Sequence, residues 1–155
     1  MQKKCDLYLC NGIRSERLKF VKIFDDNFSY DSERIYLGYL GINVNRIKLV
    51  SVVSDLKGHE IPCFSVPTIY RENENISSNQ AMELANKYAL NLGASVLQVI
   101  RSQPQCPPVY WAFGLKCNDD VAEKVGGVVL IDRIDGHVWT NSEYEEYMYD
   151  YNNIF

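Results

Sequence analysis

The sequence lacks an apolar run long enough to cross a bilayer. A membrane-spanning helix needs about 20 such residues, and the longest candidate, Val125 to Ile134, is of strand length and contains Asp132 and Arg133. The first residues are not followed by the apolar stretch of a signal peptide. We therefore expect a cytoplasmic protein with no membrane partner.

Cysteine and histidine are scarce. The 155 residues include five cysteines, none in CxxC spacing, and two histidines, His59 and His137. An odd, scattered set of cysteines is typical of reduced intracellular thiols. So few histidines make a zinc site hard to assemble. We expect no disulfide framework, no metal and no cofactor.

Known catalytic motifs are also missing. The sequence has no GxSxG and no papain-like cysteine signature. Gly126-Gly127 precedes a β-branched stretch, whereas a phosphate-binding loop would open a helix. Asp132 and Asp135 flank a turn, where aspartate is common for backbone reasons alone. The sequence predicts no catalytic residue, and we do not expect an enzyme.

What remains is the composition of an ordinary globular protein. Apolar residues make up 46% and charged residues 23% of the chain, which excludes general disorder. The length suits one domain, and the sequence has no internal repeat and no low-complexity linker. We expect residues 1–155 to form a single domain.

Charge is distributed unevenly along the chain. Residues 1–24 hold six basic residues against two acidic ones, a net charge of +4, and residues 132–155 hold six acids against one arginine, a net charge of −5. The chain as a whole carries −4, so no nucleic acid partner is expected. Two solvated faces would explain this asymmetry, and so would an acidic surface that meets a basic partner.

The acidic end is also rich in tyrosine. Residues 143–151 contain four acids and four tyrosines without a single lysine or arginine. Ser142 followed by Glu145 forms a capping-box pattern, which predicts a short helix. At helical spacing, Tyr144, Tyr147, Met148 and Tyr151 share one face, which would dock on the sheet or serve as a set of anchors for a partner. The candidate partner-binding residues are Asp132, Asp135, Glu143, Tyr144, Glu145, Glu146, Tyr147 and Asp150.

The rest of the sequence predicts an α+β fold. The first half favours strands at 5–10, 18–24, 46–54 and 59–66, with 32–40 also compatible with a strand and Asn11-Gly12 predicting a turn. Apolar residues at helical spacing predict one main helix from Ser78 to Leu92, ended by Gly93. Strands at 95–101, 109–117, 127–133 and 137–140 would follow as a four-stranded antiparallel meander packed on that helix.

The second half also resembles a known family. Its helix is followed by Val109-Tyr-Trp-Ala-Phe-Gly114, Gly127-Val-Val-Leu-Ile-Asp132 and Asp135-Gly-His-Val-Trp139. This order is similar to that of immunity proteins from bacterial polymorphic-toxin and contact-dependent growth inhibition systems, some of which have a cystatin-like helix-plus-meander core. The resemblance covers about residues 78–141. It implies a non-enzymatic antitoxin that neutralises a cognate toxin, expected to be a basic nuclease domain, by blocking its active site.

Two other functions remain open at this point. A small ligand-binding or enzymatic domain would hold a pocket on the curved sheet, with a few polar groups converging on it. A structural or regulatory module would use the same acidic surface to bind a different partner.

Overall fold

The computed structural model describes residues 3–91, 94–99, 107–117 and 125–153. It confirms the predicted α+β class, with antiparallel sheets and several helices. The chain divides into two compact units: unit 1 comprises Met1–Glu72 with Ser142–Phe155, and unit 2 comprises Asn73–Asn141. The single-domain expectation stays a prediction, and each unit is described by itself.

Strand β1 (Lys4–Ile13) is the centre of the sheet in unit 1. Strand β4 (Cys63–Pro67) pairs with one edge of β1, and strands β2 (Tyr36–Tyr39) and β3 (Val44–Asn45) pair with the other edge, all antiparallel. The predicted strand at 5–10 is therefore confirmed. The predicted turn at Asn11-Gly12 is wrong, because β1 continues through both residues.

A buried carboxylate fills the gap between β2 and β3. Asp6 is fully buried, and its side chain accepts hydrogen bonds from the backbone N–H groups of Leu7, Gly41 and Ile42. The Arg71 guanidinium, on helix α2 (Thr68–Glu72), lies 2.8 Å from Asp6 Oδ2. Asp6 and Arg71 thereby satisfy backbone groups that the interrupted strand leaves without a ladder partner.

Residues 46–58 form helix α1 (Arg46–Gly58), so the predicted strand at 46–54 is wrong. The many β-branched residues there favour a strand. Leu49, Val53 and Leu56 are nevertheless buried at the i, i+4, i+7 spacing of a helix. The Asn45 side chain caps the helix by accepting a hydrogen bond from the Ile47 N–H. Tertiary burial and the cap outweigh the strand preference.

Residues 18–24 do not form the predicted strand either. They lie in a 3₁₀ helix, Glu16–Ile23, and just beyond it. Leu18 and Val21 are its buried residues, and their i, i+3 spacing matches three residues per turn. Ser15 caps this helix by accepting a hydrogen bond from the Arg17 N–H.

Unit 2 is a helix packed on a three-stranded antiparallel sheet. Helix α3 (Ser78–Asn91) confirms the predicted main helix, although Gly93 lies outside the described residues. The strands are β5 (Ala94–Val99), β6 (Tyr110–Cys117) and β7 (Val125–Asp132), in that order. Buried alanines of α3 pack on buried residues of β6 and β7, namely Ala81, Ala85, Ala89, Phe113, Leu115, Val129 and Ile131.

The fourth strand of the predicted meander is reduced to a single bridge. Within the described part of unit 2, Val138 pairs with Ile131 as an isolated antiparallel bridge. The chain reverses through Gly136, which has a φ of +75°. The return is held by short backbone hydrogen bonds, including Trp139 N–H to the Leu130 carbonyl at 2.8 Å. The Asp135-Gly136 turn is therefore present, but a full strand does not follow it.

The C-terminal segment is helical, as predicted. Helix α4 (Asn141–Glu146) continues into a π-helical turn (Tyr147–Tyr151). Since α4 begins at Asn141, Ser142 lies inside its first turn and not at the predicted N-cap position. In the described parts of the chain, no helix is long and apolar enough to span a bilayer.

Candidate protein-binding surface

The C-terminal segment docks on strand β4 through its inner face. Tyr147, Met148, Tyr151 and Asn152 are buried there. The Tyr147 hydroxyl donates to the Ser65 carbonyl at 2.8 Å, and the Asn152 side-chain oxygen accepts from the Ser65 N–H at 2.8 Å. The Asn152 side-chain amide also donates to the Tyr147 carbonyl. One residue of β4 therefore holds the segment at two of its positions.

Helix α1 supplies a second anchor for the same segment. Arg46 Nη1 donates to the Asp150 carbonyl at 2.7 Å, and its guanidinium lies 5.4 Å from the centre of the Tyr151 ring. Asn153 donates from its side-chain amide to Ser54 Oγ. These contacts fix the orientation of the π-helical turn relative to α1, so the opposite side of the segment has a defined direction toward solvent.

The outer side of the segment is acidic and aromatic. Glu145, Glu146 and Asp150 are exposed, and so are their sequence neighbours Tyr144 and Tyr149, by 41% and 48%. We call these five residues the acidic face. No lysine or arginine occurs between residues 141 and 155, so no cation of this segment offsets the three carboxylates. Such a concentration of one sign of charge attracts oppositely charged surfaces.

The predicted site residues of this segment divide between the two sides. Tyr144, Glu145, Glu146 and Asp150 lie on the outer side, and Glu143 is half-buried. Tyr147 is buried, and its hydroxyl donates a hydrogen bond to the Ser65 carbonyl. It therefore stabilises the fold, and a partner cannot contact it in this conformation.

Sequence reasoning missed Tyr149 as an exposed aromatic. The predicted face, at 3.6 residues per turn, held Tyr144, Tyr147, Met148 and Tyr151; the last three are buried, Tyr144 is exposed, and Tyr149 lies off that face. The anchoring role of Arg46 was also missed, because α1 was expected to be a strand. Its position directly after Asn45, a good N-cap residue, was the available signal for a helix start.

The other two predicted site residues, Asp132 and Asp135, belong to unit 2. Asp132 is buried, and its carboxylate accepts from the Ile134 N–H at 2.8 Å and from the Trp139 indole N–H at 2.9 Å. It stabilises the turn, and its oxygens do not face solvent. Asp135 is exposed and bonds to both the backbone N–H and the ring of His137. Burial works to raise the pKa of Asp135, but the hydrogen bonds and the charge of His137 outweigh it and lower that pKa.

Asp132, Asp135 and His137 also bring three possible metal ligands together. One donor atom of each lies within 4.8 Å of the others, and the described residues contain no second group of this kind. The turn around Gly136 and the hydrogen bonds of both carboxylates explain this closeness without an ion. The expectation of no metal stays a prediction.

Comparison with known proteins gives no further guide to function. No family model, characterised protein or solved structure matches this chain. The likeness to immunity proteins therefore stays a prediction.

Proposed function

We propose that this protein is an immunity-type inhibitor that binds a basic toxin through its acidic face. The observation that carries the proposal is the anchoring of the C-terminal segment. Its tyrosine and asparagine side chains are tied to β4 and α1, so Glu145, Glu146 and Asp150 project to solvent in a fixed arrangement. A recognition surface held in place loses less conformational entropy on binding than a mobile tail would lose.

The chemistry of this face suits a basic partner. A nuclease binds the phosphates of its substrate with lysine and arginine, and three carboxylates on one short segment offer the same charge to that site. Complementary charge of this kind raises the rate of encounter. Tyr144 and Tyr149 supply large contact areas with few rotatable bonds, which favours a slow release. Such an inhibitor acts in the cytoplasm of the cell that makes the toxin, and it needs no catalytic residue.

The packing of unit 2 argues against a pocket function. A ligand-binding or enzymatic domain of the predicted type would leave the concave side of its sheet open. In the described part of unit 2, α3 covers one side of the sheet, and Ala85 packs there in one cluster with Phe113 and Ile131. A regulatory module with another basic partner would use the same acidic face. A binding measurement with the toxin itself distinguishes the two functions.

The experiment measures binding to the toxin domain encoded next to this chain. Glu145, Glu146 and Asp150 are changed together to lysine, and affinity and association rate are compared with the unchanged protein at several salt concentrations. We expect affinity to fall by about 100-fold or more, the order of two to three lost charge contacts. Because three lysines repel a basic partner, added salt should no longer slow the association of this variant, whereas it should slow that of the unchanged protein.

A matched control carries the same change in net charge elsewhere. Asp26, Glu74 and Glu83 are exposed acids outside the acidic face, and their joint replacement by lysine should leave toxin binding within about threefold of its original affinity. Equal losses in both triple variants would mean that only net charge matters. Undiminished binding in the first variant would move the interface elsewhere, and a neighbouring gene product without toxin activity would overturn the proposal.

A further inference from the structure

A second exposed surface lies on the 3₁₀ helix of unit 1. Leu18 and Val21 face the interior, whereas Phe20 is 61% exposed and Ile23 is 73% exposed. Phe20 and Ile23 are three residues apart, so they lie on the same side of the 3₁₀ helix and form an exposed apolar pair.

Basic residues neighbour these apolar side chains in the sequence. Residues 14–24 contain four lysines and arginines and one acid, Glu16, so the segment carries +3. Lys19 and Lys22 are exposed directly beside Phe20 and Ile23. Lys19 is paired with Glu16 at 3.6 Å, a surface contact that competes only weakly with another partner. We call Lys19, Phe20, Lys22 and Ile23 the basic ridge.

The basic ridge and the acidic face are tied to opposite ends of helix α1. Asp150 contacts Arg46, the first residue of α1, and Arg17 of the 3₁₀ helix pairs with Asp55 at 3.5 Å. Asp55 lies nine positions after Arg46, which corresponds to about 14 Å along the helix axis. Since both surfaces are exposed, one molecule does not cover its own ridge with its own acidic face.

We propose that the acidic face of one molecule docks on the basic ridge of a second copy. The two surfaces match in chemistry: Glu145 and Glu146 meet Lys19 and Lys22, and exposed tyrosines meet exposed Phe20 and Ile23. The contact uses two different patches, so it is heterologous and leaves one ridge and one face free at the ends of any open assembly. Under the proposed function, a toxin and a second copy compete for the same acidic face.

The experiment is sedimentation velocity on the purified full chain without toxin. The average mass should rise with protein concentration at low ionic strength, and it should fall toward that of the monomer at high ionic strength because the contact is charged. Two variants then separate the two surfaces: a ridge variant with Lys19→Glu and Lys22→Glu, and a face variant with Glu145→Lys and Glu146→Lys. Each variant alone presents like charges on both surfaces and should stay monomeric.

The deciding measurement is a mixture of the two variants. The acidic face of the ridge variant still fits the basic ridge of the face variant, and the reversed pair fits as well, so the mixture should associate although neither component does. Unchanged circular dichroism and melting temperature show that both variants are folded. The combined four-residue variant should associate with itself again.

The proposal has clear ways to fail. A wild-type protein that stays monomeric at every concentration and salt level would overturn it, and so would a mixture of variants that does not associate. Binding of the monomer to vesicles rich in anionic phospholipid, lost in a Phe20→Ser and Ile23→Ser variant, would assign the ridge to a membrane surface instead. Because no toxin is present, these outcomes are independent of the toxin-binding assay.

Discussion

The hydroxyl of Tyr147 donates a hydrogen bond to the backbone carbonyl of Ser65 at 2.8 Å, and both residues are buried. The two residues are 82 positions apart in the sequence. Tyr147 also packs edge-on against the ring of Tyr151, 5.5 Å away between centroids. The acidic, tyrosine-rich end of the chain is thus built into unit 1 by its inner side, and its outer side is exposed.

Replacement of Tyr147 by phenylalanine should lower the free energy of unfolding by about 1–2 kcal/mol, because the Ser65 carbonyl loses a buried donor. The measurement is urea unfolding followed by circular dichroism. The control is Tyr144→Phe, at a position on the outer side of the same segment, which should change stability by less than about 0.5 kcal/mol. Similar losses for both variants would contradict the buried role of Tyr147.

Gly136 should be intolerant of a side chain, in contrast to Gly58. Gly136 has a φ of +75°, and a Cβ added there would lie 2.6 Å from Leu84 Cδ1. Gly136→Ala should therefore destabilise unit 2 by about 1–2 kcal/mol from backbone strain, with steric displacement of Leu84 in addition. The matched change Gly58→Ala meets no atom within 4 Å and lies in α1, where alanine is favoured by about 0.5–1 kcal/mol.

Thermal unfolding of both glycine variants checks this prediction. The melting temperature should fall for Gly136→Ala and rise or stay unchanged for Gly58→Ala. A Gly136→Ala variant as stable as the unchanged protein would mean that the turn relaxes without cost.

The parts of the fold that were predictable are those with a clear apolar period. In α3, Ala81, Ala85 and Ala89 repeat every four residues, so the sequence itself shows which side of the helix is buried. In α1 the helical spacing of the buried residues is hard to see. The partly buried Val50 and Val52 lie close to the buried Val53, so the run resembles a strand. When apolar residues lie on several faces, the sequence pattern does not distinguish a helix from a strand. Burial against the rest of the fold then determines which of the two forms.

The acidic face was predictable in composition but not in orientation. The absence of lysine and arginine from residues 141–155 was evident, and it indicated the charge of the surface. Helical spacing alone separates Tyr147 and Tyr151 from Tyr149, but which of the two sides is buried depends on contacts with Ser65 and Arg46, far away in the sequence. Those contacts place Tyr147 inside and Tyr149 outside.

The ion pair between Asp6 and Arg71 should be essential to unit 1. Hydrogen bonds from Arg71 to Asp6 and to the Ile42 carbonyl, both 2.8 Å, join α2 to the sheet. Arg71→Met should lower the free energy of unfolding by about 3 kcal/mol, because it leaves the fully buried Asp6 carboxylate without this cation. Glu72→Gln removes only the exposed partner of the same guanidinium, and it should cost less than about 0.5 kcal/mol. Urea unfolding measures the free energy of unfolding of both variants. Equal losses would show that the buried ion pair stabilises unit 1 no more than the exposed one does.

The buried thiol of Cys63 should make the stability of the protein depend on alkaline pH. Burial raises the pKa of Cys63 from an ordinary value of 9.0 to about 12, although the charge of Lys57 opposes this rise. The folded protein therefore keeps a proton on Cys63 at pH values where the unfolded chain has lost it. The stabilisation is fully present below pH 9, and it is lost as the pH rises toward about 12.

The size of this effect is set by proton linkage. Across the window from pH 9 to about 12, Cys63 should lower the free energy of unfolding by about 1.4 kcal/mol for each pH unit. The measurement is urea unfolding of the unchanged protein and of Cys63→Ala at a series of alkaline pH values. The two proteins share their other titrating groups, so the difference in their pH slopes reports mainly the Cys63 thiol. Parallel slopes above pH 9 would show that this thiol ionises in the folded protein as readily as in the unfolded chain.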